Sequence, residues 1–335
     1  MLSSSGGDCT DLEEFHAMVR PVNSEIVLTG SGSFAASVVR IDLQRLWMEQ
    51  IDETLARSWC VQIESPRVAI GFPVEPGCPI RHQGIELSPN EVGVFMPTRP
   101  VWHTTLGPSR FASMSLPQED LNEHGVALAG HAFLPTGVAS TIKVPPPLMT
   151  RLRSLHAEAV HLAKHAPTAF EDPGRAGGLE AALTEAMVLC LANGHMRTDT
   201  ASQRRHAAII RRLHALEEAA RERPLYLADV CSALGVSQRT LHQICHEMLG
   251  IGPKRYLCLR RLHLARRELR QAPPGEATVT DVATRFGFWE LGRFAVAYRS
   301  VFGESPSATL RQTPIGYRLQ QPVPLQHGAV PCAQP

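Results

Sequence analysis

The sequence predicts an α+β chain of two domains. An N-terminal antiparallel β domain with trailing helices precedes a C-terminal all-α domain of two helix-turn-helix units joined by a linker helix. Three observations predict this. The chain has 335 residues, enough for two ordinary domains. Short β-like runs fill the chain to about Leu121, whereas helical patterns run from the end of a polar stretch near residue 200 to about residue 312. The charge is also divided. Residues 201–312 hold 18 Lys and Arg against 10 Asp and Glu, a balance of +8, and the remainder holds 15 against 22, or −7, although the whole chain is only +1. A basic half beside an acidic one is the composition of a nucleic-acid-binding domain attached to a different module.

Taken in order, residues 1–24 read as a loose lead. From about Glu25 to Leu121 the runs EIVLTG, RVAIGFPV, GIELS, EVGVFMP and HTTLG are punctuated by Pro and Gly, which favours an antiparallel sheet or barrel. Pro145, Pro146 and Pro147 end this region. Helical stretches follow at Leu148–His165 and Leu179–Asn193. In the second, Leu179, Leu183, Met187 and Leu191 recur every four residues, a stripe that either packs on its own domain or forms a dimer seam. The run GRAGG before it reads as a flexible connection. RTDTASQ is a polar linker, so the domains fall at 1–196 and 204–312 with a linker at 197–203. Residues 313–335, rich in Pro and Gln, are expected to be disordered.

The first helix-turn-helix unit is Leu227–Leu249. Gly235 permits the tight turn, Cys231 four residues earlier is small enough for two helices to cross closely, and Ser237 reads as the N-cap of the second helix. That helix turns Gln238, Arg239, His242, Gln243 and His246 outward. The second unit is Val279–Gly303, with Gly287 as the turn, Ala283 four before it and Thr280 as a fair N-cap. Phe294, Tyr298 and Phe302 form its buried stripe, the turn reads one residue longer than the first, and Glu290, Arg293, Val296, Ala297 and Arg299 face outward. Between them Lys254–Gln271 reads as a helix of roughly 27 Å, against about 34 Å for a turn of B-DNA. It carries Arg255, Arg260, Arg261, Arg266, Arg267 and Arg270, of which some should meet phosphates and others be plain surface charge. Ser305-Pro306 opens a last short helix.

LGVSQRTL, the helix ending in LARREL, and GFWELGRFAVAYRSVFGESPSATL together resemble the AraC family of transcription regulators. RTLHQICHEMLGIGPKRYL with GFWELGRF, and more weakly RIDLQRLWMEQIDETLARSWC in the β region, is similar to regulators of the ethanolamine-utilisation type. The resemblance implies a cupin-like sensor domain, a double-stranded DNA operator, a small-molecule effector (ethanolamine or another small amine, with a cobalamin), RNA polymerase as a partner and activation of a catabolic operon by a cytoplasmic protein, as a monomer or a homodimer. By motif position, base contacts would fall on Arg239, His242, Gln243, Glu290 and Arg293, and phosphate contacts on Ser237, Arg255 and Arg299. Arg suits guanine and Gln suits adenine, whereas phosphate contacts position the protein without specifying sequence.

Other chemistries find less in the sequence. His82 and His103 lie in the β region without the His-x-His and Glu that would complete a cupin metal site, so no metal and no catalytic residue is expected. Trp47, Trp59, Phe72, Phe95 and Trp102 are either walls of an effector cavity or plain core. There is no nucleophile elbow, phosphate loop or paired-carboxylate motif. Eight cysteines without a CxxC pair suit a reducing compartment, and no apolar run reaches membrane-spanning length.

Overall fold

The computed structural model describes residues 3–312 apart from 20–22, 64, 76, 78, 98, 99, 133–138, 221–224 and 274. The tail expected to be disordered lies outside the described residues. In chain order the N-terminal part runs β1 (Ser3–Cys9), α1 (Leu12–Met18), β2 (Asn23–Leu28), β3 (Ala36–Asp42), β4 (Trp47–Glu53), β5 (Arg57–Gln62) and β6 (Arg67–Pro73). It continues through β7 (Ile80–His82), β8 (Ile85–Glu86), β9 (Glu91–Phe95), β10 (Val101–Thr105), β11 (Ser109–Pro117), α2 (Gln118–Ala129) and β12 (Ala139–Lys143), then α3 (Pro146–His165), α4 (Pro173–Asn193) and β13 (His195–Thr198). The C-terminal part is helical: α5 (Ala201–Ala219), α6 (Leu227–Leu234), α7 (Gln238–Leu249), α8 (Pro253–Gln271), α9 (Val279–Arg285), α10 (Leu291–Phe302) and α11 (Pro306–Arg311).

The strands form two antiparallel sheets. One has eight strands in the order β1-β3-β4-β11-β6-β9-β12-β13; the other has five, β2-β5-β10-β7-β8. Side-chain alternation decides what each face touches. On the large sheet Val39, Ile41, Met48, Ile70, Phe72 and Met114 point one way, into a core with Met149, Leu152, Leu183 and Met187 of α3 and α4. Val38, Ile51, Phe95 and Phe111 point the other way, into a core shared with Trp59 of the small sheet. Both faces of the large sheet are therefore covered, which is why RVAIGFPV and EVGVFMP read as near-continuous apolar runs rather than clean alternations.

Three sequence expectations are corrected and one open alternative, the Leu stripe of α4, is decided. The N-terminal lead is structured: β1 pairs with β3, and α1, capped by Asp11, buries Phe15 completely. Ser3–Gly7 has no strand propensity of its own, and the partner strand supplies the pairing. GRAGG lies inside α4, where Asp172 accepts hydrogen bonds from the amides of Gly174 and Arg175 and Pro173 opens the helix. The Leu stripe of α4 is core and not a seam: Leu183 and Met187 are fully buried within the chain. The polar linker is narrower than its composition suggests. β13 extends to Thr198, and α5 starts behind a capping box of Thr200 and Gln203.

Two strand glycines are set by packing. Gly71 and Gly93 stand opposite each other across β6 and β9. A Cβ on Gly93 would lie 2.5 Å from Nδ1 of the buried His82 ring. Gly93→Ala is expected to lower stability by about 1–3 kcal/mol, read as a reduced urea midpoint with an unchanged slope; an unchanged midpoint would show that the His82 ring has room to move.

Candidate nucleic-acid interface and its docking

The two helix-turn-helix turns are built alike. Gly235 (φ 66°) and Gly287 (φ 76°) both adopt the left-handed conformation. In the first, the Val236 amide donates to Cys231 C=O at 3.1 Å; in the second, the Phe288 amide donates to Ala283 C=O at 2.9 Å. The small residues predicted to permit helix crossing thus also accept the hydrogen bond that closes each turn, and both are buried. An arginine braces each leading helix from outside: Arg212 of α5 donates to the carbonyls of Ala233 and Leu234, and Arg261 of α8 donates to that of Phe286. The second turn, Phe286–Glu290, is longer than the first by two residues rather than one. Its leading helix is capped by Thr278, whose hydroxyl accepts from the Asp281 amide, instead of by Thr280.

Recognition-helix side chains sit where the motif puts them. Ser237 caps α7 by accepting from the Thr240 amide at 3.1 Å. Arg239, His242 and Gln243 are all exposed along the outer face of α7, and the His242 ring lies 4.4 Å from that of His246. In the second unit Glu290 stands at the N-cap of α10 without capping it, and pairs instead with Arg293 at 3.0 Å, both side chains exposed. An exposed pair of this kind contributes little, so it holds Arg293 only weakly. Arg299 is exposed near the end of the same helix. The sequence reading passed over Trp289, which is 72% exposed immediately before Glu290; Val296 of α10 is 73% exposed. A large aromatic between a helix-turn-helix glycine and the next helix, outside the Phe294/Tyr298/Phe302 stripe, was the available signal.

The arginines of α8 overturn the expectation that they divide between phosphates and plain surface charge. The N-terminal domain packs on this helix through the outer face of its small sheet, and several of these arginines turn toward it. Arg255, although exposed, donates one N–H to Thr29 C=O at 3.1 Å. Arg260, 4% exposed, forms a two-pronged pair with Glu25 of β2 and lies within 3.5 Å of Glu217 and Glu218 of α5. Arg266, 5% exposed, pairs with Asp11, Glu13 and Glu304. His214 of α5 completes the cluster: Trp102 Nε1 donates to its Nε2, the Tyr256 hydroxyl lies 2.8 Å away, and Glu25 stands at 3.6 Å. Further contacts link Thr104 to Met248 C=O, Arg81 to His246 C=O, and the Leu28 amide to His263 Nε2.

Electrostatics follow from this burial. Burial pushes Glu25 up, but Arg260 and His214 outweigh it and hold the carboxyl at about 2. Glu217 goes the other way, raised to about 8 by burial with Arg260 opposing. His214 and His263 are both lowered to about 4, by burial first. Burial also raises the thiols of Cys9, to about 11, and Cys245, to about 12, so neither is a thiolate at neutral pH. Among the described residues no three His, Cys, Asp or Glu side chains cluster as metal ligands.

Residues 230–312 match the helix-turn-helix domain family. The sequence is 42% identical over 97 residues to the probable thc operon regulatory protein of Rhodococcus erythropolis, 29% of each chain. It is 37% identical over 91 residues to the XylDLEGF operon transcriptional activator of Pseudomonas putida, 27% of this chain and 28% of that one. It is 40% identical over 77 residues to the HTH-type transcriptional activator RhaS of Escherichia coli, 23% and 27%. The chain thus spans less than a third of the length of these relatives. Among solved structures, the AraC-like transcriptional activator CuxR aligns over 84% of this chain and all of its own, at 17% identity and a TM-score of 0.42. The C-terminal domain is a helix-turn-helix DNA-binding domain. Over that part, the chain is similar to the operon regulator and transcriptional activators named above.

Replacing Arg260 by Ala would leave Glu25 in the interface without its counter-charge, at a cost of about 3–5 kcal/mol; hydrogen exchange at the Leu28 amide should rise by orders of magnitude, and unchanged protection would rule out Arg260 as the interdomain tie. Acid should loosen the same interface. His214 and His263 have depressed values when docked, so their contribution is complete above about 6.5 and is lost as pH falls through about 4. Exchange at Leu28 between pH 7 and 4, corrected for its intrinsic pH dependence, measures this.

Proposed function

We propose that the protein is an effector-responsive activator of a catabolic operon, in which the N-terminal domain binds a small molecule and sets how the two recognition helices are presented to an operator. The observation that carries the reading is the alternation of β5 and β10. Trp59 and His103 on these strands line a cavity of about 920 Å³ between the two sheets. Their neighbours Trp102 and Thr104 contact the DNA-binding domain. A ligand that moves the inner side chains therefore acts on the backbone that holds the outer ones, and shifts the population between docked arrangements. The names of the relatives, operon regulators and activators, support the same reading.

Of the aromatic residues considered as cavity walls, Trp47, Trp59 and Phe95 line it, whereas Phe72 belongs to the helix-covered core and Trp102 to the interdomain contact. Affiliation with the ethanolamine-operon regulators rests on the motif resemblance alone.

Arg239, His242, Gln243, Glu290 and Arg293 are assigned to base reading and Ser237 and Arg299 to phosphates, and duplexes selected from a random pool test the assignment. Arg239→Ala and Arg293→Ala should each cost about 1–3 kcal/mol and relax preference at separate positions, whereas Arg299→Ala should weaken all duplexes alike and lower the salt slope by about 1. Affinity within about twofold of the parent for both Arg239→Ala and Arg293→Ala, at about 0.15 M salt, would refute the readout.

A further inference from the structure

The two helix-turn-helix units superimpose in one register, residue by residue. Both recognition helices have 12 residues, α7 behind the N-cap Ser237 and α10 behind the N-cap Glu290, and each ends on a left-handed glycine, Gly250 or Gly303. In this register the buried anchors coincide: Leu241, Cys245 and Met248 of α7 fall on Phe294, Tyr298 and Val301 of α10. Pro253, which opens α8, falls on Pro306, which opens α11. The outward positions do not match in chemistry. Where α7 presents Arg239, His242 and Gln243, α10 presents Gly292, Ala295 and Val296, and all six are exposed.

Helix geometry puts Val296 opposite the buried face of Phe294, Tyr298 and Val301. It is 73% exposed, so the side chain standing furthest out on this recognition helix is a branched hydrocarbon. Packing within the chain does not call for Gly292 either. A Cβ there would meet nothing within 4 Å, although glycine in a helix is less stable than alanine. Glycine lets the backbone come close to whatever the helix lies against. None of the three α10 positions carries a side chain that can hydrogen-bond. Arg293 and Arg299, three residues to either side of Val296, are both exposed and place cations at the ends of this apolar centre. Flanking cations suit a polyanion as the occupant of the face better than a second copy of the chain.

Of the four bases, only thymine carries a methyl group on its major-groove edge. We propose that the second recognition helix reads thymine methyl groups through Val296, with Gly292 and Ala295 letting its backbone approach the groove. The two halves of the operator are then read by different chemistry: hydrogen bonds from Arg239, His242 and Gln243 in one, and hydrocarbon contact beside Arg293 in the other. This deepens the base-reading assignment made above and rests on it.

The test uses the full chain and the duplexes it selects from a random pool. The half-site read by α10 is the one whose preferences Arg239→Ala leaves intact. Each thymine in it is replaced in turn by uracil, which removes only the methyl group. At least one replacement should weaken binding about fourfold, the worth of one buried methyl-sized group. Val296→Ala should bind the thymine and uracil duplexes alike, and Val296→Gln, which restores the residue type of α7, should exchange the thymine preference for adenine. Each variant is first checked for an unchanged unfolding midpoint; should either fail to fold, the uracil series on the parent chain still decides. A half-site without thymine, binding that no uracil replacement weakens, or a discrimination that Val296→Ala leaves unchanged would each overturn the proposal. Indifference to uracil together with a self-association that Val296→Ala abolishes would give the face to a second copy of the chain instead. If Arg239→Ala relaxes a selected preference but no thymine is read, this proposal falls and the base-reading assignment stands; if no duplex is selected at all, both fall.

Discussion

Arg260 is a cation with almost no access to water, and the way the two domains meet depends on how its charge is met. A guanidinium taken out of solvent requires close carboxylates and filled donor positions. Of the acidic groups near it, Glu217 and Glu218 come from α5 in its own domain, and Glu217, raised to about 8, is mostly uncharged at neutral pH, whereas the two-pronged partner, Glu25, comes from β2 of the other. Without Glu25 the cation would keep only the single-point contacts to α5. The interface therefore has a sharply preferred arrangement held by polar contacts, and such an arrangement is separable in a way that a wholly apolar one is not. His214 extends the dependence, since it is shared among Trp102, Tyr256 and Glu25 and each of these comes from a different element.

The small sheet gives this tie its reach. A strand places successive side chains on opposite faces, and here both faces are occupied. Glu25, Trp102 and Thr104 meet the DNA-binding domain, while Trp59 and His103 meet the cavity. Glu25 also stands opposite Cys60, next to Trp59 in the chain. Cavity and interface lie on opposite faces of one sheet, separated by the backbone of β5 and β10.

Some of this was legible in the sequence. The helix-turn-helix units were legible because their determinants are local: a glycine that takes positive φ and a small residue four before it; only the second unit's cap, Thr278 and not Thr280, and the length of its turn were misplaced. The arginines of α8 were misread because their roles are not local. Whether a basic side chain meets phosphate or carboxylate depends on what surface faces it, and the partners of Arg260 and Arg266 lie more than 230 residues earlier, at Glu25 and Asp11. β1 was missed for a related reason: a Ser- and Gly-rich segment becomes a strand only because β3 offers an edge. The cavity residues were half legible. Strand parity separates Trp102 from Trp59 and His103, but no pattern in the sequence says which parity faces inward when both faces are buried.

Docking also limits how the N-terminal domain can act on DNA binding. The side chains assigned to base reading, Arg239, His242, Gln243 and Arg293, are exposed while the domains are docked. What the β domain grips is the far end of α7, through the carbonyls of His246 and Met248, and the inward face of α8, through Arg255 and Arg260. It therefore does not silence the recognition helices by covering them. It fixes α8, the element that joins the two units, and with it the C-terminal end of the first recognition helix. A duplex presents successive major-groove segments at a set spacing and phase, so a small reorientation of one unit against the other is enough to change whether both can engage at once. The two exposed helix-turn-helix units are joined by α8, and the polar tie at Arg260 is where α8 is held against the β domain.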